Sequence, residues 1–307
     1  MAVDSEALTT FLRVCRDGGV SAAAEKLGRT QSAISRRLAQ LEAEVGAPLF
    51  ERIGRRMVLT DAGAALLPHA DRVSAAIEDA AGAVRAVVSG DGGDTSLALV
   101  GTLAGPHLTA ILRQFRAACP HSRVAVRTAA STEVSELVAA GEVSLGLRYF
   151  DDSDPGLTSE VVYREPLVVA CAPDHPLAGA RVASLAELVD QQWFAFPDHE
   201  RRREIFSSTV FVQFLVRGID RFNWSPVDSL TAQKRLVEAG FGIALLQMGG
   251  VTEELDAGSL SVIGVADMQA RMPVAMVMRR RGAHGLATDM FAGLVRTVFA
   301  DAADGAI

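Results

Sequence analysis

Residues 21–63 read SAAAEKLGRTQSAISRRLAQLEAEVGAPLFERIGRRMVLTDAG, and this stretch decides the architecture of the N-terminal end. Small alanines behind Ser21 predict a short helix to Leu27 with Ser21 as its N-cap, and Gly28 ends it. Thr30 is the expected cap of a further helix running through Glu44. In that helix Ile34, Leu38, Leu41 and Val45 recur at i, i+4, i+7 and i+11, which makes one buried stripe and leaves Gln31, Ser32, Ser35 and Arg36 on the opposite side. Two helices joined through a glycine turn, the second carrying short polar groups near its start, fit a helix-turn-helix. Short side chains let such a helix enter the major groove, where Gln and Arg can address adenine and guanine edges. An ordinary solvated helix face would show the same residues, and this stretch alone leaves both readings open.

Working outward, Leu8, Phe11, Leu12 and Cys15 predict a preceding helix that Gly18–Gly19 stops. On the other side, Leu49 to Arg52 and Met57 to Leu59 read as two strands around a Gly-Arg-Arg turn, with Arg52, Arg55 and Arg56 at the tip and flank. Such a basic wing neutralises phosphate and fixes register without reading sequence. The whole chain of 307 residues carries a formal charge of -7. Between Lys26 and Thr60, however, seven basic residues face three acidic ones. That asymmetry is the one expected of a nucleic-acid-binding end on an otherwise acidic protein.

From Thr60 the pattern changes. Leu66, Ala70, Val73, Ile77, Ala80, Val84 and Val87 repeat with alternating spacings of four and three, a heptad stripe that predicts a helix packed along a partner helix. At ~1.5 Å per residue it spans about 45 Å, and Pro68 is expected to bend it near its start. Ser89 to Ser96, SGDGGDTS, is a hinge by composition. Beyond it, strands and helices alternate: SLALVGT, a helix from Pro106 to Ala118, RVAVRTA, a helix from Thr132 to Ala140, then VSLGLRYF. A second set follows in PLVVACA, VDQQWFAF, helices from Glu204 to Arg217 and Leu230 to Ala239, and GIALL. PVAMVMRRR and a closing helix from Gly285 to Ala300 return to the first set. The alternation predicts parallel βαβ units.

Three function classes lose ground at this level. Neither GxSxG, HExxH, Walker A nor GxGxxG occurs, so no catalytic constellation, metal or cofactor is expected. Six histidines are scattered without metal-ligand spacing, and Cys15, Cys119 and Cys171 form no CxxC. No window approaches ~18 consecutive apolar residues, and Asp4 and Glu6 lie where a secretory leader would be basic, so a cytoplasmic protein without membrane contact is expected. A cytoplasmic solute-binding or redox-sensing protein stays open as the alternative to a regulator.

With these residues in place, the chain resembles the LysR-type transcriptional regulators over essentially its full length. Residues 21–67 carry the most specific match, including the Leu-Phe-Glu-Arg start of the wing and the Thr-x-Ala-Gly entry to the long helix. APDHPLA (Ala172 to Ala178) and VEAGFGIALL (Val237 to Leu246) match a weaker C-terminal pattern. The resemblance implies an α/β multidomain protein: a winged helix-turn-helix over residues 1–60, a dimerising linker helix over 61–89, and a periplasmic-binding-protein-like effector domain of two subdomains over 90–307. It implies promoter DNA, a small-molecule effector and a homodimer or homotetramer. Carried over residue by residue, Thr30, Gln31, Ser32, Ser35, Arg36, Arg52, Arg55 and Arg56 serve DNA, and Thr102, Ser131, Arg148, Phe196 and Thr231 line the effector cleft. Hydroxyls, one cation and one aromatic wall suit a small anionic organic metabolite. The chain departs from the family pattern at SLGLRYF, where Arg148 either meets an effector carboxylate or turns to solvent.

Overall fold

The computed structural model describes residues 4–54, 56–89, 93–196, 209–280 and 284–304. In helix α1 (Ser5–Asp17) the apolar spacing buries Leu8, Phe11, Leu12 and Val14. Asp4 caps its start by accepting the Glu6 amide, and Gly18 closes it in the left-handed conformation. Helix α2 (Val20–Leu27) corrects one expectation: Gly19 is its cap, and Ser21 lies inside the first turn. The Ala23 amide donates to the Gly19 carbonyl, so the glycine backbone begins the helix without a side-chain oxygen. Helix α3 (Gln31–Val45) starts at Thr30, whose hydroxyl accepts the Ala33 amide, and buries Ile34, Leu38 and Leu41. Phe11 and Leu41 are fully enclosed where the three helices meet, each contributing about 1.5–3 kcal/mol by leaving water.

Strands β1 (Phe50–Ile53) and β2 (Arg56–Leu59) form an antiparallel hairpin with Phe50 opposite Leu59. Leu49, expected in the first strand, instead anchors the hairpin base. Its amide and that of Phe50 donate to the Glu42 carboxylate, and its carbonyl accepts the Thr60 amide. The Thr60 hydroxyl donates to the Pro48 carbonyl and accepts the Gly63 amide, capping helix α4 (Asp61–Ser89). A β-carbon at Gly63 would stand 2.1 Å from the Leu49 carbonyl oxygen, so the Thr-x-Ala-Gly motif is a close-approach motif. Along α4, Leu66 and Ala70 pack into the three-helix core. Farther on, Val73, Ile77 and Val84 are 43%, 50% and 64% exposed. Pro68 lies within the helix without ending it.

The hinge is shorter than its composition suggests, because Thr95 and Ser96 already belong to β3 (Thr95–Leu99). The chain continues through a 3-10 turn (Gly101–Leu103), α5 (Pro106–Ala118), β4 (Val124–Thr128), α6 (Ser131–Ala139), β5 (Leu145–Tyr149) and β6 (Leu157–Cys171). Then come β7 (Arg181–Val182), a second 3-10 turn (Leu185–Leu188), β8 (Trp193–Ala195), α7 (Thr209–Leu215), β9 (Trp224–Pro226), α8 (Leu230–Glu238) and β10 (Ile243–Gln247). Last are α9 (Met248–Asp256), β11 (Ser261–Val265), β12 (Arg271–Arg279) and α10 (Leu286–Asp304). Of the helix expected from Glu204, only the part from Thr209 is described. The basic stretch His199 to Phe206 lies outside the described residues.

The strands run in the order β4-β3-β5-β12-β6-β10-β8-β9, with β11 paired to β6 and β7. Within each set the βαβ strands are parallel: β4, β3 and β5 on one side, β10, β8 and β9 on the other. The expected short strand PLVVACA is the second half of a strand of 15 residues. Its first half pairs antiparallel with β12, and its second half pairs with β10 and β11. One strand is therefore shared by two sheets, each with its own core. Leu97, Ile111, Phe115, Leu145 and Phe291 fill the first, Trp193, Phe214 and Ile243 the second. As expected, β12 and α10 rejoin the first subdomain.

Candidate nucleic-acid interface and ligand cleft

At the N-terminal end, Gln31, Ser32, Ser35 and Arg36 are all exposed; Ser32 and Arg36 stand opposite Ile34 and Leu38, whereas Gln31, three and seven positions before those two, lies at the edge of their stripe and is exposed because it begins the helix. Thr30 is exposed too, but its hydroxyl is occupied by the cap and lies 3.1 Å from that of Ser32. The neighbouring Arg37 is spent on an ion pair with Glu6 of α1. Arg36 therefore offers its guanidinium outward while Arg37 ties the helix to its support. On the wing, Arg52 is exposed on β1. Arg56 contributes backbone to β2, and Arg55 lies outside the described residues.

Thr102, Ser131, Phe196 and Thr231, expected to line a ligand cleft, follow the C-terminal ends of the parallel strands β3, β4, β8 and β9, where open α/β sheets hold ligands. The turn after β3 brings Thr102, 9% exposed, to the Tyr149 ring; its hydroxyl donates to the Tyr149 hydroxyl at 2.9 Å. Ser131 is the first residue of α6 rather than the residue before it, and its hydroxyl accepts the Tyr149 amide at 3.4 Å. Both residues thus converge on the end of β5. From the second subdomain come Phe196, half-buried just past β8, and Thr231, exposed in the first turn of α8. The subdomains touch through backbone: a β-carbon at Gly105 would stand 2.6 Å from the Gly249 carbonyl oxygen. One at Gly250 would lie 3.3 Å from the Leu230 side chain and 3.9 Å from the Thr102 carbonyl.

Arg148 is a correction. It neither points at a ligand nor turns to solvent: its side chain is 12% exposed, pairs with Asp152 and donates to the Ser135 hydroxyl at 2.7 Å. Alternation along β5 is the reason. Leu147 and Tyr149 join the core beneath α5 and α10, so Arg148 must face α6. Burial opposes ionisation of Asp152, but the Ser135 hydroxyl, the Asp154 amide and the Arg148 guanidinium overcome it and hold the carboxyl below its ordinary range. The cation is already neutralised within the fold.

Two groups of residues escaped the sequence pattern. The Tyr149 hydroxyl donates to Glu165 at 2.9 Å, and the other Glu165 oxygen accepts the Gly249 amide at 3.1 Å, so this carboxyl joins both subdomains. Glu165 is 2% exposed, and burial pushes it up to about 7 against the pull of those two bonds. An acid directly before the apolar run Pro166-Leu167-Val168-Val169 was the available signal. The second group ties the N-terminal helices to the C-terminal half. Arg16 on α1 reaches Asp71 on α4 at 2.8 Å and Glu142 before β5 at 3.3 Å, and Arg127 on β4 holds Glu142 at 2.9 Å. Burial, opposed by Arg16 and assisted by Glu142, raises Asp71. Spacing of 55 and 126 positions hides such a cluster from local reading. Among the described residues, no group of His, Cys, Asp and Glu is arranged to hold a metal, and no helix is long and apolar enough to cross a membrane.

Residues 5–64 match the model of the bacterial regulatory helix-turn-helix protein, lysR family, and residues 88–300 match the LysR substrate binding domain. Among curated proteins, the chain is 27% identical over 284 residues to the RuBisCO operon transcriptional regulator of Allochromatium vinosum, covering 91% of each. It is 27% identical to the HTH-type transcriptional regulator TfdS of Cupriavidus pinatubonensis, covering 88% of this chain and 90% of the other. Among solved structures, full-length CbnR, a LysR family transcriptional regulator, superposes with a TM-score of 0.66 at 25% identity over 96% of this chain and 99% of that one. CbnR complexed with its target DNA gives 0.64 at 26% over the same shares.

Proposed function

The chain belongs to the LysR family of DNA-binding, effector-responsive transcriptional regulators, and from that premise we propose how its residues divide the work. Residues 1–60 bind promoter DNA, residues 61–89 join two protomers, and residues 90–307 bind the effector. The observation that carries the DNA reading is the outward face of α3, where Gln31, Ser32, Ser35 and Arg36 stand free of the core that fixes the helix. Gln31 and Arg36 read base edges, the two serines allow close approach, and Arg52, Arg55 and Arg56 of the wing hold phosphate. Thr30 fixes the start of the helix through its cap and adds a phosphate contact at its rim.

The effector cleft takes Thr102, Ser131, Phe196 and Thr231 as its lining. Two short helices begin there, and their free amides favour an anion; a small organic carboxylate is the class that fits. Arg148 supports that cleft from behind, through Ser135 and Asp152. The protein works in the cytoplasm, as a homodimer or homotetramer, and catalyses no reaction. Footprinting on the DNA upstream of its own and neighbouring genes tests this reading: a protected site lost in Gln31→Ala is expected. Equal protection of unrelated DNA by both proteins would remove sequence reading from α3.

A further inference from the structure

Thr102, Tyr149 and Glu165 make a continuous buried hydrogen-bond chain. The Thr102 hydroxyl donates to the Tyr149 hydroxyl, which donates to Glu165, whose second oxygen holds the first turn of α9 through Gly249. In this arrangement Thr102 has used its single proton inward, and its oxygen can only accept from the cleft. If Glu165 takes one proton from solvent on the oxygen that faces Tyr149, that oxygen becomes the donor. Tyr149 then turns its own proton to Thr102, and the Thr102 proton is released toward the cleft. Each hydroxyl keeps one proton throughout, and only Glu165 gains one. We propose that this relay sets whether Thr102 offers the cleft a donor or only an acceptor, so that an anion bound at Thr102 draws one proton onto Glu165. The proposal rests on the reading of Thr102 as part of the effector cleft.

The surroundings support a relay rather than a fixed charge. Tyr149 stays protonated at all working pH values, because burial and the Glu165 charge push it well above its ordinary range. Glu165 itself lies near neutrality, as given above. Facing it are Tyr163 on the same strand, raised by burial and then by the Glu165 charge with Arg271 opposing, and His107 on α5, lowered by burial. From β12, Met272 lies directly opposite, and from α10 comes Phe299, stacked on Tyr163. On α8, Lys234 is committed to Glu254 and the Gly250 carbonyl. Among the described residues, no fixed cation therefore holds the carboxylate ionised, and coupling must be reciprocal between Thr102 and Glu165.

Met248-Gly249 is the one Met-Gly pair in the sequence, so isotope labels on the methionine carbonyl and the glycine nitrogen give a single amide resonance beside Glu165. Its shift is followed in the full-length protein across about pH 5 to 9. A midpoint near 7 is expected. Thr102→Val removes the donor to Tyr149 and should raise the midpoint by roughly 0.3 pH unit through hydrogen-bond cooperativity, whereas Thr102→Ser should restore it. Tyr149→Phe should raise it by about one unit or more. An amide that does not titrate in this range, or a midpoint that Thr102→Val leaves unmoved, overturns the relay. No effector or DNA enters the measurement, so failure of the cleft assignment and failure of the relay are read separately.

Discussion

Arg36 and Arg52 are both exposed arginines on the same small domain, and the proposed function gives them different tasks. Arg36 projects from a helix whose opposite side is locked into the core, so Arg36→Ala should cost about 1–3 kcal/mol on the specific site and far less on random DNA. Arg52 sits on a wing strand; Arg52→Ala should weaken all sequences alike and flatten the salt dependence. Gel shifts on both DNAs at several salt concentrations separate these outcomes, and equal losses for the two variants would remove the distinction. Gly63→Ala sets a β-carbon against the Leu49 carbonyl oxygen and should destabilise the N-terminal domain by about 1–3 kcal/mol, read as a lowered Tm. Glu165 gives a pH effect. Its pKa rises from 4.5 to about 7 on folding, so the folded state holds the extra proton between those values. The stability it contributes is full below 4.5 and is lost as pH rises through 7. Glu165→Gln should flatten the fall in Tm over that window, and an unchanged slope would assign the fall to other groups. Some residues were legible beforehand and some were not, for a physical reason. The exposure of Arg36 follows from a period of 3.6 alone. Arg148 needed the side of β5 on which it stands, and Glu165 needed a partner 84 positions away.

Helix α4 changes its task along its length. Leu66 and Ala70 complete the three-helix core, whereas Val73, Ile77 and Val84 leave an apolar line open to solvent. The heptad pattern announced one continuous seam, because periodicity records that a side chain is buried but not against what. Asp at both Val73 and Ile77 should dissociate the oligomer, since paired carboxylates would be buried in an apolar seam. Sedimentation velocity reads this directly, and an unchanged sedimentation coefficient would put the assembly elsewhere. The same helix carries Asp71 and, one turn on, Ala75, which packs against Gly141 beside Glu142. Arg16→Glu should lower Tm by the equivalent of about 0.5–1 kcal/mol, and the swap with Glu142→Arg should recover part of it. Failure of the swap to recover anything would show that the Asp71 and Arg127 contacts outweigh the one between positions 16 and 142. Strand β6 was legible only in its second half. Leu167 to Cys171 are buried on both faces and read as an apolar run, while Leu157 to Arg164, LTSEVVYR, lack the strict alternation that marks a half-buried strand.

For the whole molecule, the order of modules was legible and their junctions were not. Composition marked residues 89–96 as a hinge, yet Thr95 is buried and bonded to Thr288 of the last helix, a contact of 193 positions that no local pattern records. Charge is distributed as the modules are: the acidic excess lies outside residues 26–60, so residues 90–307 alone should show no affinity for DNA at any salt concentration. The strand shared by both sheets carries a consequence for the order of assembly during synthesis. Pro166 pairs with Arg271, and the Leu167 amide donates to the Ala270 carbonyl, so residues 167–270 enter and leave the first subdomain side by side, as a large insertion in a hairpin. The second half of β6 and its partners β10 and β11 are all made by residue 265, whereas β5 waits for Val274 to Met278, more than a hundred positions after it. The subdomain that begins first is therefore the one that finishes last. On the ribosome, its βαβ half stays with an open sheet edge until β12 emerges and inserts between β5 and β6.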